Sequence, residues 1–566
     1  MSSIIYKALK IFLRQVTGNY FRNIHVAGVE NMPMEGPTIL CCNHGNQFMD
    51  GMLIISQCPR PLSFCFAASS YNKPIVGYLA KKINVIPVYR AEDSKMLGKG
   101  KIIMTSDTDI QGYKTKFISE IKNNENFNLG IQSLLIKKKY KLIVEKVIDE
   151  EHIKVKSNPE IFESLKKLDK QHFFYIPKID NSIMFKETCQ KLKENKAICI
   201  FPEGTSHDNS HLLQLKPGVA YIALEAMANY GIKNIKLISC GFSYFNRDEF
   251  RSDLVLEFGI PFEIPEYLGD IFKVDKKKAI DIVLKIVESQ MKSVTLTAPT
   301  YKEYIFLKML RNLYIPSNVE LPAEKSIDLG RRISHMYNDA RDSKKAKQLK
   351  LKVMKYMEPL EKLGLEDDDL KAINLNYNIL IKKFIYSLLL FIISLIFALP
   401  MLVIVLPLVK YVKKTAENET HKPLEKNPHK LEGRDVVSSV KVVTFFKYLP
   451  IVGIVWVNLC YLFANYYLYQ LTHQKYTFIN IFFIGCISFM FYGYLSINIF
   501  DLLKYHFETL KTLFYFFVVP KGIDNLKDMR RKLVLEVNDF FNENIKNTPY
   551  ESNRIVNPKK ESLFRL

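Results

Sequence analysis

Three long uncharged stretches in the second half of the chain constrain its fold most strongly. Each is long enough to cross the roughly 30 Å hydrocarbon core of a bilayer as one helix. They are Phe384 to Val409, Tyr448 to Leu471 and Tyr476 to Phe500. Only Thr472-His473-Gln474-Lys475 joins the last two, which predicts a helical hairpin. Lysine-rich segments flank that hairpin, so we expect both of its ends on the cytosolic side.

The first uncharged stretch has two prolines inside it, Pro400 and Pro407. It is also basic at both ends, with Lys382 and Lys383 before it and lysines from Lys410 after it. Basic residues favour the cytosolic side. A re-entrant or hairpin element fits this symmetry better than a crossing, although a single span stays open.

Composition limits the class of partner. The chain has 566 residues, enough for two or three domains, and its net charge is +22. Such a charge favours an anionic partner, and the long apolar stretches favour membrane lipid or a phosphorylated substrate over nucleic acid. The nine cysteines form no CxxC pair, so we expect reduced thiols in a cytosol-facing protein.

The amino terminus predicts an amphipathic helix over residues 1–20. Ile5, Leu9, Phe12 and Val16 fall on one helical face. Lysine and arginine lie among these apolar residues, so the helix either rests on a membrane surface or packs on the core.

The stretch Cys41-Cys42-Asn43-His44-Gly45-Asn46-Gln47-Phe48-Met49-Asp50 carries the strongest chemical signal. The apolar residues Thr38 to Cys42 predict a short buried strand, followed by a loop with His44 and a helix from about Met49. Histidine moves protons near neutral pH, and a nearby carboxylate fixes its tautomer. We predict that His44 is a general base and that Asp50 orients it.

Further strands of an α/β sheet follow. Leu62 to Ala68 predicts a second strand, Pro74 to Lys82 a short helix, and Ile83 to Tyr89 a third strand that ends at Arg90. Ligands of α/β sheets bind at strand ends, and a guanidinium suits phosphate oxygens. Arg90 is therefore a candidate phosphate ligand, with a solvated arginine as the alternative.

The region from 95 to 181 interrupts the α/β pattern. Partial alternation of apolar residues predicts an antiparallel β insertion with strands over Thr115 to Glu120, Ile131 to Ile136, Lys141 to Ile148 and His152 to Val155.

The α/β pattern resumes with a helix from Ser182 to Asn195 and the strand Ala197 to Phe201, which runs into Pro202-Glu203-Gly204-Thr205-Ser206. Gly204 permits close backbone approach to a ligand, and Glu203 is a candidate acceptor for a substrate hydroxyl. Lys216, near the start of a helix, is a further candidate phosphate ligand, with a solvent-facing lysine as the alternative. Arg247 follows the strand Ile235 to Tyr244. His207, Asp208 and His211 lack another ligand at metal-binding spacing, so we expect no metal.

These blocks, in this order, resemble the glycerolipid acyltransferases. NHGNQFMD, NVIPVYRAED, FPEGTSHDNS, SYFNRDEFRS and GRDVVSSVKVV are similar to the fungal-type glycerol-3-phosphate/dihydroxyacetone-phosphate acyltransferases. Most of the wider family has four residues between the histidine and the aspartate. Here there are five, Gly45 to Met49, which narrows the resemblance to the fungal-type group. Asn84 and Thr205 also depart from common forms, but neither change removes a charge.

The resemblance implies a reaction and its substrates. His44 would deprotonate the sn-1 hydroxyl of glycerol 3-phosphate, which attacks the thioester of a fatty acyl-CoA and gives lysophosphatidic acid, the first step of phospholipid and triacylglycerol synthesis. Arg90, Glu203, Gly204, Lys216 and Arg247 would position the acceptor, which is glycerol 3-phosphate or dihydroxyacetone phosphate. No cofactor or metal is implied, since acyl-CoA is a substrate. The expected location is the endoplasmic reticulum membrane, multi-pass, with the catalytic domain facing the cytosol.

The expected fold class is α/β, with a mixed-sheet acyltransferase domain, a small β-rich insertion, a helical segment and C-terminal transmembrane helices. The predicted divisions are the amphipathic membrane-associated helix 1–20, the acyltransferase domain 21–94 and 182–294, the insertion 95–181, a helical segment 295–380, a membrane hairpin or span 381–414, a cytosolic linker 415–447, the transmembrane hairpin 448–500 and a basic cytosolic tail 501–566.

Two alternatives remain at this stage. One is an acyltransferase that uses a lysophospholipid, 1-acylglycerol 3-phosphate, as acceptor. The other is a membrane lipid-binding scaffold with an inactive catalytic fold. The charged groups at His44, Asp50, Arg90 and Glu203 argue against the scaffold.

Overall fold

The structure is a computed structural model. It describes residues 2–68, 81, 85–89, 95–122, 130–136, 140–166, 169–209, 211–295, 301–315, 321, 323–363, 365, 367, 370, 377–426, 432–468, 470, 473 and 477–545. The predicted helix Pro74 to Lys82 lies almost wholly outside the described residues, and Arg90 lies outside them too.

The described strands form two sheets. In chain order they are β1 (Ile24–Ala27), β2 (Thr38–Cys42), β3 (Leu62–Ala67), β4 (Ile86–Val88), β5 (Met96–Leu97), β6 (Lys101–Met104), β7 (Asp109–Tyr113), β8 (Ile131–Ile136), β9 (Tyr140–Val147), β10 (His152–Val155), β11 (Phe173–Pro177), β12 (Ala197–Ile200), β13 (Lys236–Tyr244), β14 (Leu254–Phe258) and β15 (Phe262–Glu263).

The helices of eight or more residues extend over most of the rest. They are α1 (Ser2–Tyr20), α2 (Gln47–Gln57), α5 (Ser182–Lys193), α6 (Gly218–Tyr230), α7 (Tyr267–Val274), α8 (Lys276–Val294), α9 (Tyr301–Tyr314), α10 (Ala323–Ala340), α11 (Lys344–Leu363), α12 (Tyr377–Lys426), α13 (Arg434–Phe463), α14 (Phe478–Val518) and α15 (Pro520–Ile545), with the short α3 (Phe117–Lys122) and α4 (Pro159–Leu165) in the insertion.

The main sheet has the order β1-β14-β13-β2-β12-β3-β4, and β15 pairs with β13. Strands β13, β2, β12, β3 and β4 are parallel to one another, whereas β14 is antiparallel to β13. The predicted mixed α/β sheet is therefore confirmed. Because parallel strands end at one edge of a sheet, the loops after β2, β12 and β13 meet there.

Both faces of the main sheet are covered. Side chains alternate along a strand, so Leu40 and Cys42 of β2 pack towards α1 and α2, and Ile39 and Cys41 pack towards α5, α6 and α8. A strand buried on both faces has a continuous apolar sequence. This is why Thr38 to Cys42 lacks alternation between apolar and polar residues.

Helix α1 is confirmed, but its buried face differs from the predicted one. Tyr6, Leu13, Val16 and Tyr20 are buried, whereas Phe12 is exposed and contacts Phe446 of α13 at 6.0 Å between ring centroids. The Tyr6 hydroxyl accepts a hydrogen bond from the Leu62 N–H at the start of β3, which sets the rotation of the helix. The outer face keeps Ile4 and Ile11 exposed, at 72% and 65%.

The insertion is an antiparallel sheet that closes on itself. Its order is β5-β11-β8-β9-β10-β7-β6. Ile102 of β6 exchanges two backbone hydrogen bonds with Gln171, just before β11, so the ends of the sheet meet around an apolar core. Closure removes free strand edges.

One strand predicted in the insertion is wrong. Residues from Phe117 form helix α3 instead. Glu150, from the turn between β9 and β10, accepts hydrogen bonds from the N–H groups of Ile118 and Ser119 at 2.9 and 3.1 Å. This distant carboxylate satisfies the free donors of the first helical turn, which local alternation does not reveal.

The segment from residue 501 differs from the predicted basic tail. Helix α14 continues to Val518, and α15 follows it. Helix α15 packs against α9, α10 and α11 around one core that includes Phe306, Tyr337, Tyr356 and Phe541. Its buried Arg530 pairs with Asp367 at 3.0 Å. The apolar face of α15 needs a partner to be buried, and the helices of the 295–380 segment supply it.

Helices α13 and α14 run antiparallel, as the predicted hairpin requires. Trp456 donates a hydrogen bond to Ser488 at 3.0 Å, and Tyr461 contacts Phe478 at 5.5 Å between ring centroids. Within the described part of the chain, three helical segments are long and apolar enough to cross a membrane, namely Asn378–Thr420, Arg434–Tyr467 and Phe478–Val518.

The first of these segments lies in α12, which is one continuous helix from Tyr377 to Lys426. Its first half runs antiparallel along the second half of α14. Phe384 lies beside Phe517 and Phe391 beside Phe507, with ring centroids 5.9 and 6.3 Å apart.

The second half of α12 runs antiparallel along α13 instead. Tyr411 contacts Tyr448 at 5.1 Å between ring centroids, and Thr420 lies against Gly433. Because α13 and α14 point in opposite directions, α12 bends between its two halves, where Pro400 and Pro407 lie. Sharp helix bends occur mostly at proline. Both ends of α12 therefore lie at the same end of this group of helices, near the start of α13 and the end of α14.

Candidate active site

The candidate site lies at the edge of the main sheet where β2, β12 and β13 end. His44 follows β2 by two residues, Glu203 follows β12 by three, and Arg247 follows β13 by three. The three loops are bonded to one another. His44 donates its backbone N–H to Glu203 Oε1 at 2.9 Å, and the His207 N–H donates to the His44 carbonyl at 3.1 Å. Contacts between loops thus fix the position of His44.

His44 and Asp50 form the predicted pair. His44 Nδ1 lies 2.9 Å from Asp50 Oδ2, and the same oxygen accepts the Asn46 N–H at 2.7 Å. Asp50 is fully buried in the first turn of α2, while the His44 side chain is 18% exposed. A carboxylate at Nδ1 keeps the proton on that nitrogen and leaves Nε2 able to accept one. The Phe201 ring stacks on His44 at 4.2 Å between centroids and limits its rotation.

Tyr244, the last residue of β13, is a third member of this group. Its hydroxyl donates a hydrogen bond to Asp50 Oδ1. Burial and the neighbouring charge of Asp50 raise the pKa of Tyr244 well above its usual value. The phenol therefore stays protonated and remains a donor. The sequence analysis missed this residue, although its place at the end of a strand next to Arg247 was a usable signal.

Glu203 is buried, and both of its carboxylate oxygens have protein partners. Oε1 accepts the His44 N–H, and Oε2 accepts from the His207 ring and from the Leu213 N–H at 2.8 Å. Burial alone would raise the pKa of Glu203, but the His207 ring and the two N–H groups outweigh it and lower the pKa. Glu203 therefore holds the loop of His44 as an anion.

Arg247 ties the third loop to the other two. Its guanidinium donates to the carbonyl of His207 at 3.0 Å, with a longer contact of 3.4 Å to the carbonyl of Gly45. Its own carbonyl accepts the Asn46 side-chain amide at 3.0 Å. These acceptors are neutral carbonyls, so the cationic charge of Arg247 remains at the cavity.

Two predicted binding residues lie away from this cluster. Gly204 has φ +74° in an exposed turn, and the side chain of Lys216 lies over it. Lys216 is exposed, and neither residue lines the cavity beside His44. Their roles, and that of Arg90 outside the described residues, stay predictions.

The start of α13, within the predicted cytosolic linker 415–447, also contacts the site. Asp435 is fully buried and accepts a hydrogen bond from Ser206 at 2.6 Å. Ser439 accepts from the Met49 N–H at 3.3 Å, and Ser438 donates to the Arg247 carbonyl. These short polar side chains on the first turns of an apolar helix were the available sequence signal.

A cavity of about 190 Å³ opens beside His44. The loops after β2, β12 and β13 form one side of it. Residues from the second half of the chain form the other side, among them Ile305, Leu307, Lys308, Arg311 and Arg434. Pockets for drug-sized ligands measure roughly 300–1,000 Å³, so this volume suits a small acceptor. A base with an accessible Nε2 at its wall is able to deprotonate a bound hydroxyl.

Two family models match the chain. The model described as Acyltransferase matches residues 23–109 and 168–243, which carry His44, Asp50 and Glu203. The model described as Glycerol-3-phosphate acyltransferase 2 C-terminal domain matches residues 306–546. Together they cover well over half of the sequence. The chain is an acyltransferase and belongs to the glycerolipid acyltransferase family.

Three similar proteins indicate which kind of acyltransferase this chain resembles. An uncharacterized acyltransferase of Schizosaccharomyces pombe is 28% identical, covering 96% of this chain and 81% of the relative. Glycerol-3-phosphate O-acyltransferases 1 and 2 of Saccharomyces cerevisiae are 27% and 28% identical, covering 95% and 93% of this chain and 72% and 74% of their own lengths. The resemblance to the fungal-type group is thereby confirmed.

A solved structure is also similar, the 1-acyl-sn-glycerophosphate (LPA) acyltransferase PlsC from Thermotoga maritima. It is 14% identical with a TM-score of 0.27, and the match covers 51% of this chain and 80% of that one. This likeness is too weak to bear on the function.

Proposed function

We propose that this acyltransferase moves a fatty acyl group from acyl-CoA to the sn-1 hydroxyl of glycerol 3-phosphate. Three lines of support favour glycerol 3-phosphate as the acceptor. The yeast relatives carry the activity in their names, the cavity beside His44 is small, and its walls carry cationic side chains. Dihydroxyacetone phosphate offers the same primary hydroxyl and phosphate, so it belongs in the same assay.

The reaction needs one proton acceptor and no covalent enzyme intermediate. His44 Nε2 takes the hydroxyl proton while that oxygen attacks the thioester carbonyl. Asp50 stabilises the imidazolium that forms, because a buried anion at Nδ1 interacts more strongly with the charged ring. The tetrahedral intermediate then expels the thiolate of coenzyme A, and His44 returns the proton to that sulfur. Holding both substrates in one geometry supplies much of the rate.

The observation that carries this proposal is the hydrogen bond between His44 and Asp50 at the cavity wall. A comparable pair exists elsewhere in the chain. His152 Nδ1 lies 2.8 Å from the Asp149 carboxylate, but both residues are exposed on the insertion. The fold thus contains its own matched control for a histidine–aspartate pair outside the site.

The test compares His44→Ala with His152→Ala in purified, membrane-reconstituted protein. We expect His44→Ala to lower kcat on the order of 10²–10⁴-fold, the usual contribution of a general base, with the unfolding midpoint retained. We expect His152→Ala to keep wild-type turnover. Equal activity of the two variants would show that His44 is not the base.

The acceptor is tested with labelled palmitoyl-CoA and three acceptors offered separately. We expect acylation of glycerol 3-phosphate, and the assay with dihydroxyacetone phosphate measures how far the acceptor range extends. If 1-acylglycerol 3-phosphate were acylated and both small acceptors were ignored, the lysophospholipid alternative would replace this proposal. No acylation of any acceptor would favour the inactive scaffold.

The chain associates with a membrane through its apolar helices, and we further propose the endoplasmic reticulum, with the catalytic domain facing the cytosol. Helix α12 then enters and leaves the bilayer on its cytosolic side, while α13 and α14 cross the bilayer as a hairpin. Support comes from Ser206–Asp435 and Tyr20–Ser438, which join residues before α12 to residues after it. A crossing α12 would place those partners on opposite sides of the bilayer.

A further inference from the structure

The β insertion has an open pocket of its own, apart from the cavity beside His44. Its volume is about 710 Å³, within the roughly 300–1,000 Å³ that is typical of sites for small ligands. The residues described along its wall all differ from those that line the cavity. The sequence analysis assigned no function to the insertion, so this pocket is a candidate second binding site.

The wall of this pocket is strongly basic. Among the described residues, four lysines and one carboxylate line it, namely Lys99, Lys101, Lys114, Lys170 and Glu151. The two acidic residues before Glu151 make contacts outside the pocket. Asp149 pairs with His152, and Glu150 accepts from the N–H groups at the start of α3. A pocket lined mainly by one sign of charge concentrates ions of the opposite sign.

Backbone pairing brings these lysines together from separate parts of the insertion. Lys101 of β6 lies opposite Tyr113 of β7, one residue before Lys114. Ile102 and Gln171 exchange two backbone hydrogen bonds, so the segment before β11, which carries Lys170, lies beside β6. The basic wall is therefore a product of the closed sheet and does not correspond to a run of lysines in the sequence.

The base of the pocket is closely packed. Lys170 Nζ lies 3.4 Å from the centroid of the Tyr113 ring, which orders the ammonium group and leaves its charge intact. Lys114 has φ +56°, a left-handed conformation that residues other than glycine seldom adopt. Opposite it, a side chain in place of Gly100 would collide with the carbonyls of Tyr113 and Lys114. The turn before β6 and the end of β7 thus hold the lysines close to one another.

We propose that this pocket binds a phosphate monoester, at a site separate from the site of acyl transfer. Lysine ammonium groups bind phosphate as point charges, and a dianion offsets the excess of lysines over the single glutamate. Two sources offer this group, the headgroup of a monoester phospholipid and a soluble phosphate ester, and the experiment separates them. The proposal does not depend on the reaction at His44.

The test uses the full chain in phosphatidylcholine nanodiscs and compares two double variants. Lys101→Gln/Lys114→Gln removes two charges from the pocket. Lys146→Gln/Lys154→Gln removes two charges from exposed lysines of β9 and β10 that do not line it. The second variant is therefore a control of equal net charge on the same sheet.

The soluble arm measures the affinity of inorganic phosphate by calorimetry. If a soluble ester is the ligand, we expect phosphate to bind the pocket variant about 10-fold or more weakly than the control, the effect of losing charge-assisted hydrogen bonds. Both variants keep the cavity beside His44, so their difference reports the pocket alone.

The lipid arm measures hydrogen exchange at residues 98–114 in nanodiscs that also contain phosphatidic acid, a monoester, or phosphatidylserine, a diester. If a lipid headgroup is the ligand, we expect phosphatidic acid to slow exchange in the control and not in the pocket variant, with little effect of phosphatidylserine. Equal exchange of all variants in phosphatidylcholine alone shows that the insertion stays folded.

A second pocket variant, Lys99→Gln/Lys170→Gln, leaves the left-handed Lys114 in place and should behave like the first. If the pocket variants and the control responded alike to both probes, the proposal would be wrong. Equal protection by phosphatidic acid and phosphatidylserine would also overturn it, because the lysines would then respond only to a negative surface.

Discussion

Ser206 donates a 2.6 Å hydrogen bond to the buried carboxylate of Asp435, which lies 229 residues further along the chain. Ser206 belongs to the region matched by the Acyltransferase family model, and Asp435 belongs to the matched C-terminal domain. The bond therefore joins the two halves of the enzyme next to His44. The C-terminal half therefore contributes residues to the candidate active site as well as long apolar helices.

This bond predicts energetic coupling between the two halves. Asp435→Ala leaves the Ser206 hydroxyl buried without its acceptor, at a cost of about 1–3 kcal/mol, and shifts the loop that holds His44. We expect Asp435→Ala, Ser206→Ala and the double variant to be non-additive by about 0.5–3 kcal/mol in kcat/KM. Steady-state kinetics of the wild type and these three variants provides the double-mutant cycle. Strict additivity would mean that the bond does not support the site.

The bend in α12 predicts that the carboxyl end of this helix lies in the cytosol. The chain has a glycosylation acceptor sequence, Asn418-Glu419-Thr420, close to that end. We expect Asn418 to stay unmodified in microsomes, because the re-entrant path keeps it in the cytosol, whereas an acceptor inserted within Thr472 to Lys475 becomes glycosylated. Electrophoretic mobility before and after glycosidase treatment shows which acceptor site is glycosylated. Glycosylation of Asn418 would indicate that α12 crosses.

The Tyr244 hydroxyl predicts a loss of rate when it is removed. Tyr244→Phe takes away the donor to Asp50 Oδ1, which holds the buried carboxylate beside His44 Nδ1. We expect kcat to fall roughly 10-fold, the effect of losing one hydrogen bond to a charged group, with the unfolding midpoint retained. Tyr221→Phe, in α6 and away from the cavity, is the control. A Tyr244→Phe variant with wild-type kcat would show that this hydroxyl does not support the His44–Asp50 pair.

Glu203 predicts a loss of stability in acid. Its pKa is lowered in the folded protein, so the ionised carboxylate stabilises the fold above the ordinary carboxyl pKa of about 4.3, and this stabilisation is lost as pH falls through the lower, folded value. We expect the difference in unfolding temperature between wild type and Glu203→Gln to be largest near pH 7 and to shrink below about pH 4.3. Thermal unfolding followed by far-UV circular dichroism reports this at each pH, because the helices and strands are lost on unfolding. A difference that does not vary with pH would contradict the ionised state of Glu203.

Several features of the site could be predicted from sequence because they are local. Thr38 to Cys42 forms the predicted strand, and Asp50 lies in the first turn of the helix that follows. The spacing of His44 and Asp50 across one strand–loop–helix unit brings Nδ1 near the carboxylate, and the distant residues Glu203 and Tyr244 then hold the pair in place. Strand patterning likewise predicted β8, β9 and β10 of the insertion.

Other features depend on residues far apart in the chain. Glu150 decides that Phe117 begins a helix, and Tyr6 decides which face of α1 is buried. The periodicity of Lys344 to Leu363 predicts an amphipathic helix, but it does not say that its apolar face packs against α15. Periodicity specifies a face to be buried and leaves its partner open.

The sequence by itself determined the class of fold, the membrane-seated second half and the pairing of His44 with Asp50, since each follows from neighbours within a few turns or a strand. Only the tertiary structure decided that Tyr244 and Asp435 support the site and that Lys308 and Arg311 line its cavity. These arise from contacts between segments tens to hundreds of residues apart, and such contacts leave no periodic trace in the local sequence.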